Sequence, residues 1–489
     1  MNKSLFLLFI ICLFLNNEAK ADKNNDFLQD VREGNFEKVK TLLPIIESFT
    51  FDKALVLATQ KNYKEIVAIL ITAKSNVNAT DQYGYTALML AAENGHKEII
   101  DMLLMAKANV NATARTTALI LAAKNGYKEI VTTLIAAKAN INAQAQYQDT
   151  ALTSAAENGH KEIVEILITA KAKQVDTALV LAAKNGHKEI VEILITTKAK
   201  QVDTALVLAA KNGHKEIVEI LITAKANVNS TNHYGRTALI MAARNGHKEI
   251  VNILIAAKAN VNVKDATRLG KTALIVAIEN EHKEIVDILI AAKVDVNVKG
   301  RTTALIEASV RGYQKVVKIL IAAKAKVNDK DHYNNTALIA AAGKGHKKVV
   351  KILISSKADV NVGHKYSALM RASVKGHKEI VDILIAAKTD INMKNQFNST
   401  ALIHAAGYGR TRIVETLLYH GANVDTKDSY GNTAIMYAAL NRHKEIVEIL
   451  IAAKADIDIS NKEGKTVLDC AKQHNSQEVI EVLKKAIHK

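Results

Sequence analysis

A single proline, Pro44, and no tryptophan occur in 489 residues, and aromatic side chains make up only 4% of the chain. A chain this poor in fixed helix breakers and large rings suits short helices packed by small aliphatic side chains, and alanine, isoleucine and leucine are abundant here. Cysteine is nearly absent as well: Cys12 and Cys470 are the two in the chain. If a leader carrying Cys12 is removed, Cys470 alone remains, and no intrachain disulfide can form. Stability must then come from packing, with Cys470 expected as a small buried hydrophobe rather than a reactive thiol.

Catalytic signatures are missing in the same way. There is no glycine-rich phosphate loop ending in Lys-Ser or Lys-Thr, no His-Glu-x-x-His, no Gly-x-Ser-x-Gly, and no unrepeated segment long enough to fold as an enzyme domain. We therefore expect no catalytic residue, no cofactor and no metal ion. The apolar run Leu5–Leu15, eleven residues, is too short to span a bilayer as a permanent helix. With Lys3 ahead of it and Ala19-Lys20-Ala21 behind it, residues 1–21 read as a secretory signal peptide. Ile11 precedes Cys12 where a lipoprotein signal carries a small residue, so lipidation is not expected.

What is present is one sentence written many times. TALVLAAKNGHKEIVEILI stands at Thr177–Ile195 and again at Thr204–Ile222, and looser copies begin at Thr86, Thr117, Thr150, Thr237, Thr272, Thr303, Thr336, Ser367, Thr400, Thr433 and Thr466, with Lys53 standing in at the start. A step near 33 residues marks a helix-pair repeat. In each copy Thr177 or its equivalent can cap a first helix, with Leu179, Ala182 and Ala183 on one face. Asn185-Gly186 ends that helix, and Ile190, Val191, Leu194 and Ile195 form the buried stripe of a second. Two such helices cannot bury their apolar sides alone, so neighbouring copies must stack, with polar units at the two ends. This predicts a degenerate capping repeat over 22–52, about thirteen repeats over 53–465, two of them shortened within 150–203, and a second capping repeat over 466–489.

The copy DQYGYTALMLAAENGHKEIIDMLLMAKANVN, Asp81 to Asn111, resembles the ankyrin repeats, whose pattern is D-x-x-G-x-T-P-L-H-x-A-A, then G-H, an I-V-x-x-L-L helix, and G-A-D-V-N. The resemblance runs from about Phe27 to Lys489. It implies an all-α repeat solenoid of helix-turn-helix units joined by β-hairpin fingers, and a surface of finger tips and first helices that grips another protein. It also implies a non-catalytic interaction module. Exported proteins of this kind are similar to host-directed proteins of intracellular bacteria, which would place this one in the periplasm, outside the cell or at a host target.

Two departures from the pattern are systematic. Alanine replaces the proline after the threonine. Lysine replaces the glycine that ends the second helix at twelve positions, Lys74, Lys107, Lys138, Lys171, Lys198, Lys225, Lys258, Lys293, Lys324, Lys357, Lys388 and Lys454, while Gly421 keeps it. If these lysines are left-handed, each costs on the order of 1–2 kcal/mol; otherwise the helix must end differently.

Partner-binding candidates sit three residues before the threonine, where Tyr83, Tyr147, Tyr234, Tyr333, Phe397 and Tyr430 fall in register. Tyrosine offers much contact area at low entropic cost, so a row of them suits an interface with a protein partner; rings packed on their own fingers are the alternative. The formal net charge of +17 comes largely from the helix-ending lysines. A lysine stripe could meet an anionic lipid surface or nucleic acid, but a solvated stripe that keeps a monomeric apolar array soluble is the preferred reading. The histidine of each Gly-His pair, as at His96, His160 or His187, recurs a whole repeat apart, and Tyr127 and Tyr313 replace it, so packing or hydrogen bonding rather than metal binding is expected. The five-residue insets AKQVD after Lys171 and Lys198 leave no room for a finger and are read as products of tandem duplication.

Overall fold

Thirty-three residues is enough sequence for two short helices and a loop, and the computed structural model, which describes residues 22–487, repeats that arrangement along the chain. The leader predicted over 1–21 lies outside the described residues. Internal packing divides the chain into two units that meet at Asn227 and Val228. In the first unit the pairs Ala87–Asn94 with Lys97–Met105 and Ala118–Lys124 with Lys128–Ala136 set the pattern; in the second, Ala337–Lys344 with Lys347–Ser355 does so. Within each unit first helices pack on first helices and second helices on second helices of the next pair.

Where a finger precedes it the threonine caps the first helix as expected, except at Thr433, whose buried hydroxyl makes no cap bond. Thr86 Oγ1 accepts from Met89 N at 3.3 Å, and Thr336 Oγ1 accepts from Ile339 N at 3.3 Å, each satisfying an amide in the first turn. The first helix then buries its alanines and leucine, as Ala87, Leu88, Ala91 and Ala92 show, and ends on a left-handed glycine, Gly95 at φ +80°. The second helix buries three aliphatic side chains, for example Ile190, Val191 and Leu194; Ile195, predicted in that stripe, is only half-buried. Cys470 is buried.

In the two short repeats the cap differs from expectation. The helices there are Val175–Asn185 and Val202–Asn212, so Thr177 and Thr204 lie inside them and cap nothing. With no finger to accommodate, Val175-Asp176 and Val202-Asp203 join the helix, and the aspartate sits in the first turn, where the helix dipole favours a negative charge. Lys53 behaves likewise, within a helix that begins at Ser48.

The second helix ends on a Schellman motif with lysine in the left-handed place. Lys107 N donates to Leu104 O at 3.0 Å and Ala108 N to Leu103 O at 2.9 Å, and Ala108 is buried. All twelve lysines at this position have φ between +57° and +67° and are exposed, so the strained alternative holds. Compensation comes from a side chain just beyond the motif. Four residues after the lysine of a full-length repeat an asparagine or aspartate reaches along the stack: Asn111 Oδ1 accepts from Asn140 N at 2.7 Å, Asn297 Oδ1 from Lys326 N at 2.8 Å, and Asn392 Oδ1 from Asn423 N at 2.8 Å. Where fingers are missing, Asp176 Oδ1 takes the place, accepting from Lys200 N, and Asp203 Oδ1 accepts from Asn227 N at 2.8 Å. Each rung satisfies a backbone amide of the next repeat. Asn297 also donates Nδ2 to Lys324 O at 3.2 Å. Asn297→Ala is expected to cost about 0.5–1.5 kcal/mol, the net worth of one lost hydrogen bond to the exposed Lys326 amide, and Asn297→Asp to cost less because Oδ1 remains. Guanidinium unfolding midpoints of the three proteins check this order.

Candidate protein-binding face

The fingers are not hairpins of regular β-structure. Among the described residues no strand occurs, only the isolated bridges Thr80 to Thr86, Thr231 to Thr237 and Gly363 to Ser367. The reason is visible in Asp81: its Oδ1 accepts from both Tyr83 N and Tyr85 N at 2.8 Å, and Asp81 N donates to Tyr85 O at 2.9 Å. A side-chain acceptor closes the turn so tightly that one backbone pair is all the ladder there is room for. Asn232, Asp331, Asn395 and Asp428 close their fingers in the same way. Two buried aspartates at this position gain added partners. Asp265 receives Thr267 Oγ1 at 2.7 Å, Lys271 N at 2.9 Å and Arg236 Nε at 3.4 Å; burial pushes its carboxyl up, but these donors outweigh it and hold the group below the usual carboxylate range. Asp428 Oδ2 accepts from Tyr437 Oη at 2.7 Å, and burial with this bond pushes the Tyr437 phenol up to about 12.

Successive fingers are tied tip to tip within each unit. In the second unit Ala266 N donates to Tyr234 O at 2.9 Å, Ser429 N to Phe397 O at 2.8 Å and Lys462 N to Tyr430 O at 3.0 Å; in the first, Gln146 N donates to Arg115 O at 3.0 Å. At Tyr234, Phe397 and Tyr430 the amide is thus held by its own turn and the carbonyl by the next finger, while the ring projects. Tyr83 is 65% exposed, Tyr147 81%, Tyr234 50%, Tyr333 60%, Phe397 41% and Tyr430 63%. Arginines lie over two rings, Arg236 at 5.2 Å from the Tyr234 centroid and Arg301 at 4.8 Å from that of Tyr333. The first unit carries Tyr83 and Tyr147, the second the other four. Leu269, exposed in the same register, belongs with the second group; a search for rings alone misses it.

The Gly-His pair is a packing device between repeats. A Cβ on Gly159 would lie 2.7 Å from His187 Cε1, and His187 Nε2 donates to Glu157 O at 2.9 Å, the carbonyl fixing which ring nitrogen carries the proton. His160 on Gly126 and His346 on Gly312 repeat this geometry, and Arg410 replaces the ring over Gly376, donating Nε to Val374 O at 3.2 Å. Where the glycine is lost the pairing is altered: beyond Asn62 the ring of His96 stays but its Nε2 has no hydrogen-bond partner. Glu281 is met by Tyr313, whose phenol is raised by burial and by its bond to that carboxylate, and Arg442 is followed by the small, buried Ser476. Among the described residues no three His, Cys, Asp or Glu side chains are grouped to hold a metal ion, and no helix is long and apolar enough to cross a membrane.

Hollows open on this face in both units. One in the first unit, about 330 Å³, is lined by Arg115, Lys124, Glu93, Asp149, Glu157 and Tyr147 among others. Another, in the second unit and about 350 Å³, lies against Ala340, Gly343, Lys344, Arg371 and Lys375.

A family model described as ankyrin repeats (3 copies) matches residues 27–114, 119–204, 179–265, 259–331, 328–395, 369–461 and 402–489. The chain belongs to the ankyrin-repeat family, an all-α repeat whose members in general are non-enzymatic modules of protein–protein interaction. No curated protein sequence matches the chain.

Proposed function

We propose that this chain is an exported ankyrin-repeat protein that captures a protein partner, without catalysis, on its finger and first-helix face, and that its destination is outside the cytoplasm, toward host proteins. The observation that carries this reading is the register of six exposed aromatic rings at finger tips, five of them on fingers closed by a side-chain acceptor. A pre-positioned ring loses little freedom on binding, so its buried area converts efficiently into affinity. Export rests on Lys3, the Leu5–Leu15 run and Ala19-Lys20-Ala21.

Photocrosslinking tests the face. A benzophenone amino acid placed at Tyr83 or at Tyr333 is expected to crosslink one and the same protein from a host-cell lysate, in high salt as in low. The same probe at Met105 and Tyr419, 85% and 87% exposed at the ends of second helices, supplies the control. Crosslinks from the control positions alone would defeat the proposal. Capture that disappears with salt and ignores the finger tips would move the binding surface to the lysines.

A further inference from the structure

The array is nearly uniform, which makes its departures informative. Most first helices end in an asparagine that satisfies a helix carbonyl, as Asn94 Nδ2 does by donating to Leu90 O at 2.8 Å and Asn245 Nδ2 to Met241 O at 3.0 Å. In consecutive repeats of the second unit that place is taken by Arg311, Lys344 and Lys375. One repeat further on it is Tyr408, 55% exposed. In the middle of this block the face is also hollowed. Ala340 and Gly343 occupy the positions that Met241 and Arg244 fill in the copy that begins at Thr237, and with those side chains gone the cavity of about 350 Å³ opens between them and Arg371.

The side chain of Arg371 crosses the gap. A Cβ on Gly343 would sit 3.6–3.8 Å from its stem, in ordinary contact, and its guanidinium lies over the Tyr366 ring, 4.2 Å from the centroid. That stacking fixes the cation without neutralising it. The preceding cation, Arg311, is held by Glu307 at 2.8 Å, whereas no acidic partner is within ion-pair distance of Lys344, Arg371 or Lys375 among the described residues. The acid in the lining is Asp331, and its oxygens already accept from Tyr333 N, Asn335 N and Asn335 Nδ2. The comparable hollow in the first unit balances Arg115 and Lys124 against Glu93, Asp149 and Glu157.

We propose that the cavity walled by Arg371, Lys375 and Lys344 is the seat of an acidic side chain, an aspartate or glutamate from a partner protein segment, with a neighbouring apolar residue on Val310 and Ile339. The inference rests on the protein-capture reading of this face and specifies the partner's chemistry. A planar guanidinium suits bidentate pairing with a carboxylate, and three uncompensated cations around one hollow favour a single anionic group. A nucleic-acid backbone would need a longer series of free cations; on this helix face the run starts only after Glu279, Glu307 already holds Arg311, and Val310, Ile339 and Ala340 form part of the lining of the hollow.

The probe is an array of dodecapeptides whose central residue is Glu, Asp, Gln or Asn, flanked by randomised apolar and neutral residues, applied to the full chain. Acid-centred peptides are expected to bind at least about tenfold better than their amide counterparts, the worth of one charged hydrogen-bonded pair. Arg371→Gln with Lys375→Gln should erase that preference, while Lys357→Gln with Lys388→Gln, which removes equal charge at helix ends, should leave it. Gly343→Leu, which fills the hollow and keeps every charge, should erase it too and serves if the glutamine variant fails to fold. Equal loss in both double variants, or retention in Gly343→Leu, overturns the inference, as does single-stranded DNA or phosphatidylserine vesicles proving to be what depends on Arg371 and Lys375. If the finger-tip crosslinks persist in any of those cases, the capture reading survives and the acidic seat alone is lost; absence of both removes the two together.

Discussion

Glycine at Lys258, Lys293, Lys324, Lys357, Lys388 and Lys454 together should raise the stability of the second unit by roughly 3–6 kcal/mol. Each lysine is held at φ near +60°, where an L side chain crowds its own backbone at a cost of about 1–2 kcal/mol, and glycine gives back part of that gain, roughly 0.5–1 kcal/mol, as unfolded-chain entropy. The net gain per site is about 0.5–1 kcal/mol, and well-separated sites add. The sum is comparable with the roughly 5–15 kcal/mol that holds a typical domain together. Alanine at the same six positions separates the two explanations of any gain. It removes the charge but keeps the Cβ, so relief of lysine–lysine repulsion would stabilise the alanine protein equally, and relief of backbone strain would not. Gly421 supplies the reverse test. It sits at φ +87° with no atom within 4 Å of a Cβ built there, so Gly421→Lys loses about 1 kcal/mol through conformation alone. Guanidinium unfolding of the four proteins decides it, and equal gains for glycine and alanine would sink the strain account.

The opposite sign is expected on the other side of the repeat. Gly159→Ala should destabilise the first unit by roughly 2–5 kcal/mol, combining about 1–2 kcal/mol for a left-handed L residue with about 1–3 for overpacking against the His187 ring. Here φ is +82° and the ring atoms lie 2.7–2.8 Å from the new methyl, so the histidine must move and give up its bond to Glu157 O. Because the two changes share one contact they should not add. In the double variant Gly159→Ala with His187→Ser, which mirrors the pairing of Arg442 with Ser476, about 1–2 kcal/mol of the loss should return. A double-mutant cycle measured by urea unfolding with no coupling between the two sites would show that the ring is a bystander.

How much of this is legible in the sequence differs from element to element. The helix pairs are, because Thr-Ala-Leu, Asn-Gly-His and the aliphatic stripe signal start, stop and buried face within a few residues of one another. The left-handed lysines stand out as a problem the sequence does not solve, since local propensity argues against them and the rung that holds them, Asn111 to Asn140 or Asn297 to Lys326, spans 29 residues. The hairpin fingers come from the resemblance, and the structure corrects them: the turns are too short for a ladder, and Asp81, Asn232, Asp331, Asn395 and Asp428 close theirs through a side chain. Thr177 and Thr204 mislead because the same tripeptide caps a helix only when a finger delivers the chain to it. The aromatic row is read directly from spacing, while the hollow beside Arg371 is invisible: it is made by what Ala340 and Gly343 lack, and no motif search scores an absence.

The rung geometry bears on the history of the chain. Asp176 and Asp203 offer the following unit the same acceptor that Asn111 offers within a full-length repeat, so a 27-residue copy and a 33-residue copy end in interchangeable couplings. A slip that adds or deletes one copy therefore leaves both of its junctions satisfied and in register. The number of repeats can drift between generations without passing through a misfolded intermediate, and the reach of the finger face becomes a heritable quantity that selection can lengthen or shorten one unit at a time.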